Sequence, residues 1–377
     1  MLRRRGAHRR PAAGGGRLAA WSASQAGITS RTRTGGGVDV SALAGIVKLV
    51  LRVYLDQNHW ISLMKAETEH PDGRRFRDVA MLLSEAVNRG FVSLPLSMTH
   101  AMELQNRANF QSRLRLASTM IRLSRWHAIA PQRVLLAAEL DQALSSRFGR
   151  PTIPRSSQVF GVGANHLYGR SVTKYEPPEE FALTADQRRL VTTFAQDLLQ
   201  VTSLVGGPRD LELPDYDPTA HQQVGRRFAS QQDQMREIRR QYGYHRGEKA
   251  ERAASVDVFD EFNVRITDAL EQAGLHWGHL YALKQSGLEA FIEDVPTVYA
   301  HRELRRLRQV ASQKPWEEND LTDLTALPPA IVYCDVVVTE RLWTDLARRA
   351  DLSSRFGTTV IRSLEDLIPF LIEAAAA

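Results

Sequence analysis

The chain has 377 residues, 43% hydrophobic and 24% charged, which is the balance of a globular protein with one large domain or two ordinary ones. Its single cysteine, Cys334, excludes an internal disulfide and a cysteine-based zinc site and fits a reducing cytoplasm. The net charge of +6 comes from residues 1–38, which hold eight arginines and no acid; the rest carries 41 basic against 43 acidic residues, so any nucleic-acid surface must be local.

In chain order, residues 1–48 read as a disordered basic tail. A targeting segment, or a true start nearer Val50, are the alternatives. No run approaches the ~18 uncharged apolar residues of a membrane span, so no membrane partner is expected. LRVYLDQNHWISL then gives a buried strand ending on Asp56 and a helix opening at Trp60, Ile61 and Leu63. Asp56 is either a helix cap or a residue at the carboxyl end of a first parallel strand, where open α/β sheets place their chemistry.

Arg74–Asn88 reads as an amphipathic helix stopped by Gly90, and Phe91–Leu96 as a second strand. The following helix, SMTHAMELQNRANFQ, starts at Ser97 or Thr99 and carries Glu103, which no capping box explains. Helices are expected over Ser112–Leu123 and Gln132–Phe148, then a Pro/Gly/Ser-rich connector and a helix near Ala185–Leu204. The basic, aromatic stretch His221–Arg252 suits either a solvated helix face or single-stranded nucleic acid. A second basic cluster, Arg302, Arg305, Arg306 and Arg308, stands just before the next acidic motif and is the expected grip on a phosphate backbone.

The C-terminal quarter returns to strand–helix alternation, which implies a parallel sheet. A helix starts near Asn319 or Asp320 and carries Asp323, and Pro328 and Pro329 are expected to end it. A strand, Val336–Val338, lies between Asp335 and the pair Thr339–Glu340; a last strand, Thr358–Ile361, precedes the final helix. Asp56, Glu103, Asp323 and Glu340 should converge at the carboxyl edge of the sheet, with Asp335 and Asp320 in reserve. Four crowded carboxylates repel strongly unless cations fill the space, and hard oxygen donors without Cys or paired His point to Mg²⁺ or Mn²⁺.

These motifs resemble those of the PIN-domain nucleases. YLDQNHWISL is similar to that family's first-strand motif, SMTHAMEL to its Glu-Leu segment, and DLTDLTALPPAIVYCDVVVTER to its closing helix and strand. The resemblance implies a three-layer α/β/α sandwich with a mainly parallel sheet, at 51–135 and 301–377, interrupted by a helical insertion at 136–300. It implies metal-dependent cleavage of RNA by two-metal hydrolysis, with Asp56, Glu103, Asp323 and Glu340 as catalytic ligands, Asn58 holding the first Asp, and Thr339 in support. A toxin or defence role comes from the resemblance alone. A protein inhibitor or antitoxin, and a second copy of the chain, are the partners left open besides RNA. The family usually has Asp where this chain has Glu340. That departure keeps open an inactive RNA-binding or protein-interaction module, and a structure-selective DNA nuclease is the further alternative.

Overall fold

The computed structural model describes residues 50–149, 159–170, 175–207, 220–311 and 314–376; the expected basic tail and most of the loop after Val205 lie outside them. The protein is mostly helical around a small sheet. Four parallel strands form that sheet in the order β2 (Val92–Ser93), β1 (Leu51–Leu55), β5 (Val336–Val338), β6 (Thr359–Ile361). Val53, Tyr54 and Leu55 pair with Val336, Val337 and Val338, which in turn pair with Thr359, Val360 and Ile361.

Strand alternation explains the two cores. Val53, Leu55, Val336 and Val338 point into one apolar cluster, and Tyr54 and Val337 into another on the opposite face. Val336–Val338 is wholly buried, as a central parallel strand covered on both faces should be. The first cluster is closed by α1 (Gln57–Glu67), α2 (Arg77–Asn88), α3 (Met98–Asn106) and α4 (Phe110–Ser124).

Two short strands were not foreseen. β3 (His127–Ile129) and β4 (Phe160–Val162) pair antiparallel, and Leu96 bridges to Ala128 alongside β2. Phe160–Val162 falls in a stretch whose Pro and Gly read as a connector. The middle of the chain builds its own apolar cluster, in which Leu136, Leu140 and Leu144 of α5 (Gln132–Phe148) meet Val258, Phe262, Ile266 and Phe291. Its helices include α6 (Ala164–Tyr168), α7 (Ala185–Val205), α8 (Ala220–Gln241), α9 (Gly247–Glu261), α10 (Asn263–Gln272), α11 (Trp277–Tyr281) and α12 (Lys284–Glu293). α13 (Pro296–Ala311) then leads back to the sheet.

The expectation that Pro328 and Pro329 end their helix is corrected. α14 runs Asp320–Tyr333 with both prolines inside it. Pro328 cannot donate to the carbonyl of Leu324, and His301 Nδ1 bonds that carbonyl instead, at 3.1 Å. α13 thus supplies a partner for the carbonyl that Pro328 leaves free.

Candidate functional site

Parallel pairing decides where the acids go. Leu55 and Val338 are register partners, so the residues that follow them, Asp56 and Thr339–Glu340, emerge together at the carboxyl edge. Asp56 caps α1, accepting from Gln57 N–H at 2.6 Å, and the buried Thr339 hydroxyl donates to its other oxygen at 3.3 Å. Asp56 thus caps α1 and also stands at the carboxyl end of its parallel strand.

Glu103 reaches the same edge from the second turn of α3. His100 positions that helix. Ser97 N–H donates to its Nδ1 at 3.0 Å, which leaves Nε2 to donate to Leu55 O at 2.8 Å, one residue before Asp56. Burial drives the His100 pKa down to about 4, so it is neutral. His59 is likewise lowered to about 4 by burial and is neutral. Asp323 comes from the first turn of α14, and Trp343 Nε1 on α15 (Arg341–Arg349) donates to it at 2.7 Å.

Asp56, Glu103, Asp323 and Glu340 line one cleft of about 510 Å³. Their charges burden one another. Burial, then Glu340, pushes Asp56 up to about 6, against the Gln57 and Thr339 hydrogen bonds. Burial, then Asp56 and Glu340, pushes Glu103 up to about 8. Asp323 is raised well above the carboxylate range by burial and by Asp56 and Glu103. Gln57 is buried on the cleft wall with both amide atoms unpartnered. Among the described residues, no three His, Cys, Asp or Glu side chains stand together as a ready metal cage.

Asn58 does not hold Asp56 as expected. Its Nδ2 donates to Glu340 Oε1 at 2.6 Å, and Thr339 takes the other role. Two reserve ligands are also corrected. Asp335 lies at the opposite edge, bonded by Arg52 N–H at 2.7 Å, about 13 Å of strand away from Thr339. An Asp335→Asn variant is therefore expected to leave the chemistry of the cleft within about twofold of the parent, since it touches nothing there. Asp320 borders the cleft, but its Oδ2 accepts from Arg308 at 2.9 Å and from Glu317 N–H at 2.8 Å. It holds the fold rather than a cation.

The arginine cluster is corrected too. Arg302 and Arg306 pair with Glu303, Arg305 pairs with Glu261 at 2.6 Å, and Arg308 is wholly buried with Asp320. Arg302 and Arg306 are paired inside α13, Arg305 and Arg308 tie it to α9 and α14, and none of the four lines the cleft. A second cavity of about 510 Å³ shares Asn58 with the carboxylate cleft and is lined by Arg75, Arg362 and His59 together with Glu365 and Asp366, Arg75 lying 3.9 Å from Glu365. Arg362 follows β6 directly, so the strand-end rule that singles out Asp56 also reaches it; nothing in the sequence marks Arg75.

The insertion reaches the cleft rim. Gln222 of α8 lines it, and Arg226 pairs with Glu318 at 2.8 Å. Gly225 permits that approach, because a Cβ there would stand 2.4 Å from the Glu318 carbonyl oxygen. Set against protein-family models, curated proteins and solved structures, the chain matches none.

Proposed function

We propose that this chain is a Mg²⁺- or Mn²⁺-dependent endoribonuclease built on a PIN-like three-layer α/β/α scaffold, with the helical insertion forming one wall of the substrate path. One observation carries the reading: four acids from four separate segments line one cleft, where burial and then the neighbouring carboxylates push Asp56, Glu103 and Asp323 upward. Such an arrangement is costly unless cations enter it. The donors fit a hard cation, being carboxylates beside an unpartnered Gln57 amide. Mg²⁺ keeps several waters and takes one or two carboxylates plus substrate phosphate, so it needs no ready cage of three.

A divalent ion bound there would supply a Lewis acid and a water of lowered pKa for phosphodiester hydrolysis. The protein's own residues do the rest. Thr339 and Gln57 N–H fix the Asp56 carboxylate, Asn58 orients Glu340, and Trp343 orients Asp323. Glu103, raised to about 8, holds a proton near neutral pH until a cation displaces it. Arg75 and Arg362 neutralise backbone phosphates on the far side of Asn58.

The test is cleavage of RNA and of flapped DNA with Mg²⁺, with Mn²⁺ and with chelator. RNA cleavage that needs metal is the expected result. Cleavage indifferent to chelator, or none with Mn²⁺, overturns the reading, and preference for the flapped duplex would make the enzyme a DNA nuclease. A non-catalytic RNA-binding module is favoured by the absence of a three-residue cage among the described residues; RNA affinity without Mn²⁺ binding would select it.

A pH dependence follows. Glu103 and Asp56 hold protons in the folded state up to about pH 8 and 6, whereas unfolded they release them in the ordinary carboxylate range. Between those limits the folded state binds more protons than the unfolded one at these two acids, so their part of the metal-free stability falls as pH rises, while the buried neutral His59 and His100 add the opposite slope below about pH 6.5. Above that point the acids act alone: thermal unfolding in chelator is expected to show a lower Tm at pH 8 than at pH 6.5, Glu103→Gln to flatten that slope, and Mn²⁺ to reverse it.

A further inference from the structure

A second pocket lies apart from the carboxylates, where α8 and the turn after it meet α13. Arg236, Arg239, Arg240, Tyr244, His245 and Arg306 line it, and no acidic side chain among the described residues does. Its volume is about 40 Å³. At roughly 10–15 Å³ per water, that is room for about three waters or one tetrahedral oxyanion.

The donors facing this pocket are unevenly satisfied. Arg239 is held by both oxygens of Asp257, at 2.5 and 2.6 Å, and Arg306 by Glu303. Arg236 is different. It is only 7% exposed, its Nη1 donates to Lys314 O at 3.1 Å and lies 3.3 Å from Asp233, and its Nε and Nη2 have no partner among the described residues. His245 Nδ1 is likewise buried and unpartnered, and Arg240 has no acidic partner among the described residues. Buried donors without acceptors are rare in folded proteins, and a guanidinium beside other guanidiniums is rarer still.

We propose that this pocket binds a single phosphate monoester. Arg236, Arg240 and His245 would together bond its three outer oxygens, more acceptors than a carboxylate offers. Tyr244, about half exposed on the wall, offers a face for an attached base or ribose. The same chemistry is found at the 5′ end of a nucleic-acid strand and on a free nucleotide or inorganic phosphate. The site does not depend on the metal reading. It does adjoin the cleft, because the Lys314 carbonyl that Arg236 bonds also receives Arg308 Nη1 at 2.9 Å, and Lys314 lines the carboxylate cleft.

The test is calorimetry on the full chain in chelator, where no cleavage occurs. The probes are inorganic phosphate, adenosine monophosphate, and a short oligoribonucleotide with either a 5′-phosphate or a 5′-hydroxyl. Saturable binding of the phosphate-bearing probes is expected. Arg240→Gln, at an exposed position that leaves the core alone, is expected to weaken it about tenfold, and Arg236→Gln at least as much. Tighter binding of the 5′-phosphorylated strand than of both the 5′-hydroxyl strand and the small probes identifies a strand end as the source; two strands that bind alike, with the small probes binding as well, identify a free phosphate compound. Affinity should be unchanged in Asp56→Asn, so failure of the nuclease reading leaves this result standing. Absence of binding by every phosphate probe, or wild-type affinity in Arg240→Gln, overturns the proposal.

Discussion

Replacing Asp56 and Asp323 together with asparagine is expected to cut Mn²⁺-dependent RNA cleavage by about three orders of magnitude or more, the scale on which removal of a transition-state-stabilising group acts. The same variant should melt at or above the wild-type temperature in chelator. Burial and then Glu340 raise Asp56, and burial with Asp56 and Glu103 raises Asp323, so neutralising both relieves the metal-free fold. Asparagine also keeps an oxygen for the Gln57 N–H and the Trp343 Nε1 donors. Loss of activity with gain of stability cannot come from misfolding. Cleavage at near wild-type rate in this variant would remove the cleft from the chemistry.

The second large effect concerns stability. Arg308 is wholly buried, donates to Asp320, Lys314 O and Pro315 O at 2.9, 2.9 and 2.7 Å, and lies over the Trp316 ring. Arg308→Met strands the Asp320 carboxylate, which is itself 6% exposed. Breaking a buried pair in this way costs about 3–5 kcal/mol, to be read from urea unfolding. Adding Asp320→Asn to Arg308→Met should recover part of that loss by removing the stranded charge. RNA affinity per folded molecule, and its salt dependence, should stay unchanged, which a phosphate-gripping Arg308 would not allow.

The convergence of the acids was legible because it follows from one rule. A strand ending at Leu55 beside a parallel strand ending at Val338 must deliver Asp56 and Glu340 to the same edge, whatever lies between them in sequence. The same rule excludes Asp335, which precedes the strand that Glu340 follows, and it admits Arg362. What the sequence could not give was partnership. Arg305 meets Glu261, 44 positions away, and Arg308 turns inward to Asp320, so a run of positive charge said nothing about which charges stay free. The two prolines of α14 read as a stop, and the bond that His301 supplies to the carbonyl freed by Pro328 comes from another helix, out of reach of local sequence. Asn58 turns to Glu340 rather than Asp56, a choice set by where the two strand ends meet. Strands of three residues, such as Phe160–Val162, carry too little alternation to rise above the prolines and glycines around them.

The central claim is that the four acids of the cleft form a place for divalent cations, and a calorimetric titration of Mn²⁺ into the full chain at pH 8 tests it most directly. The account predicts saturable binding that weakens toward pH 5, as Glu103 and Asp56 take up protons, and that is lost in the Asp56→Asn, Asp323→Asn variant. No heat of binding in the wild type, or the same isotherm in the variant, would contradict it.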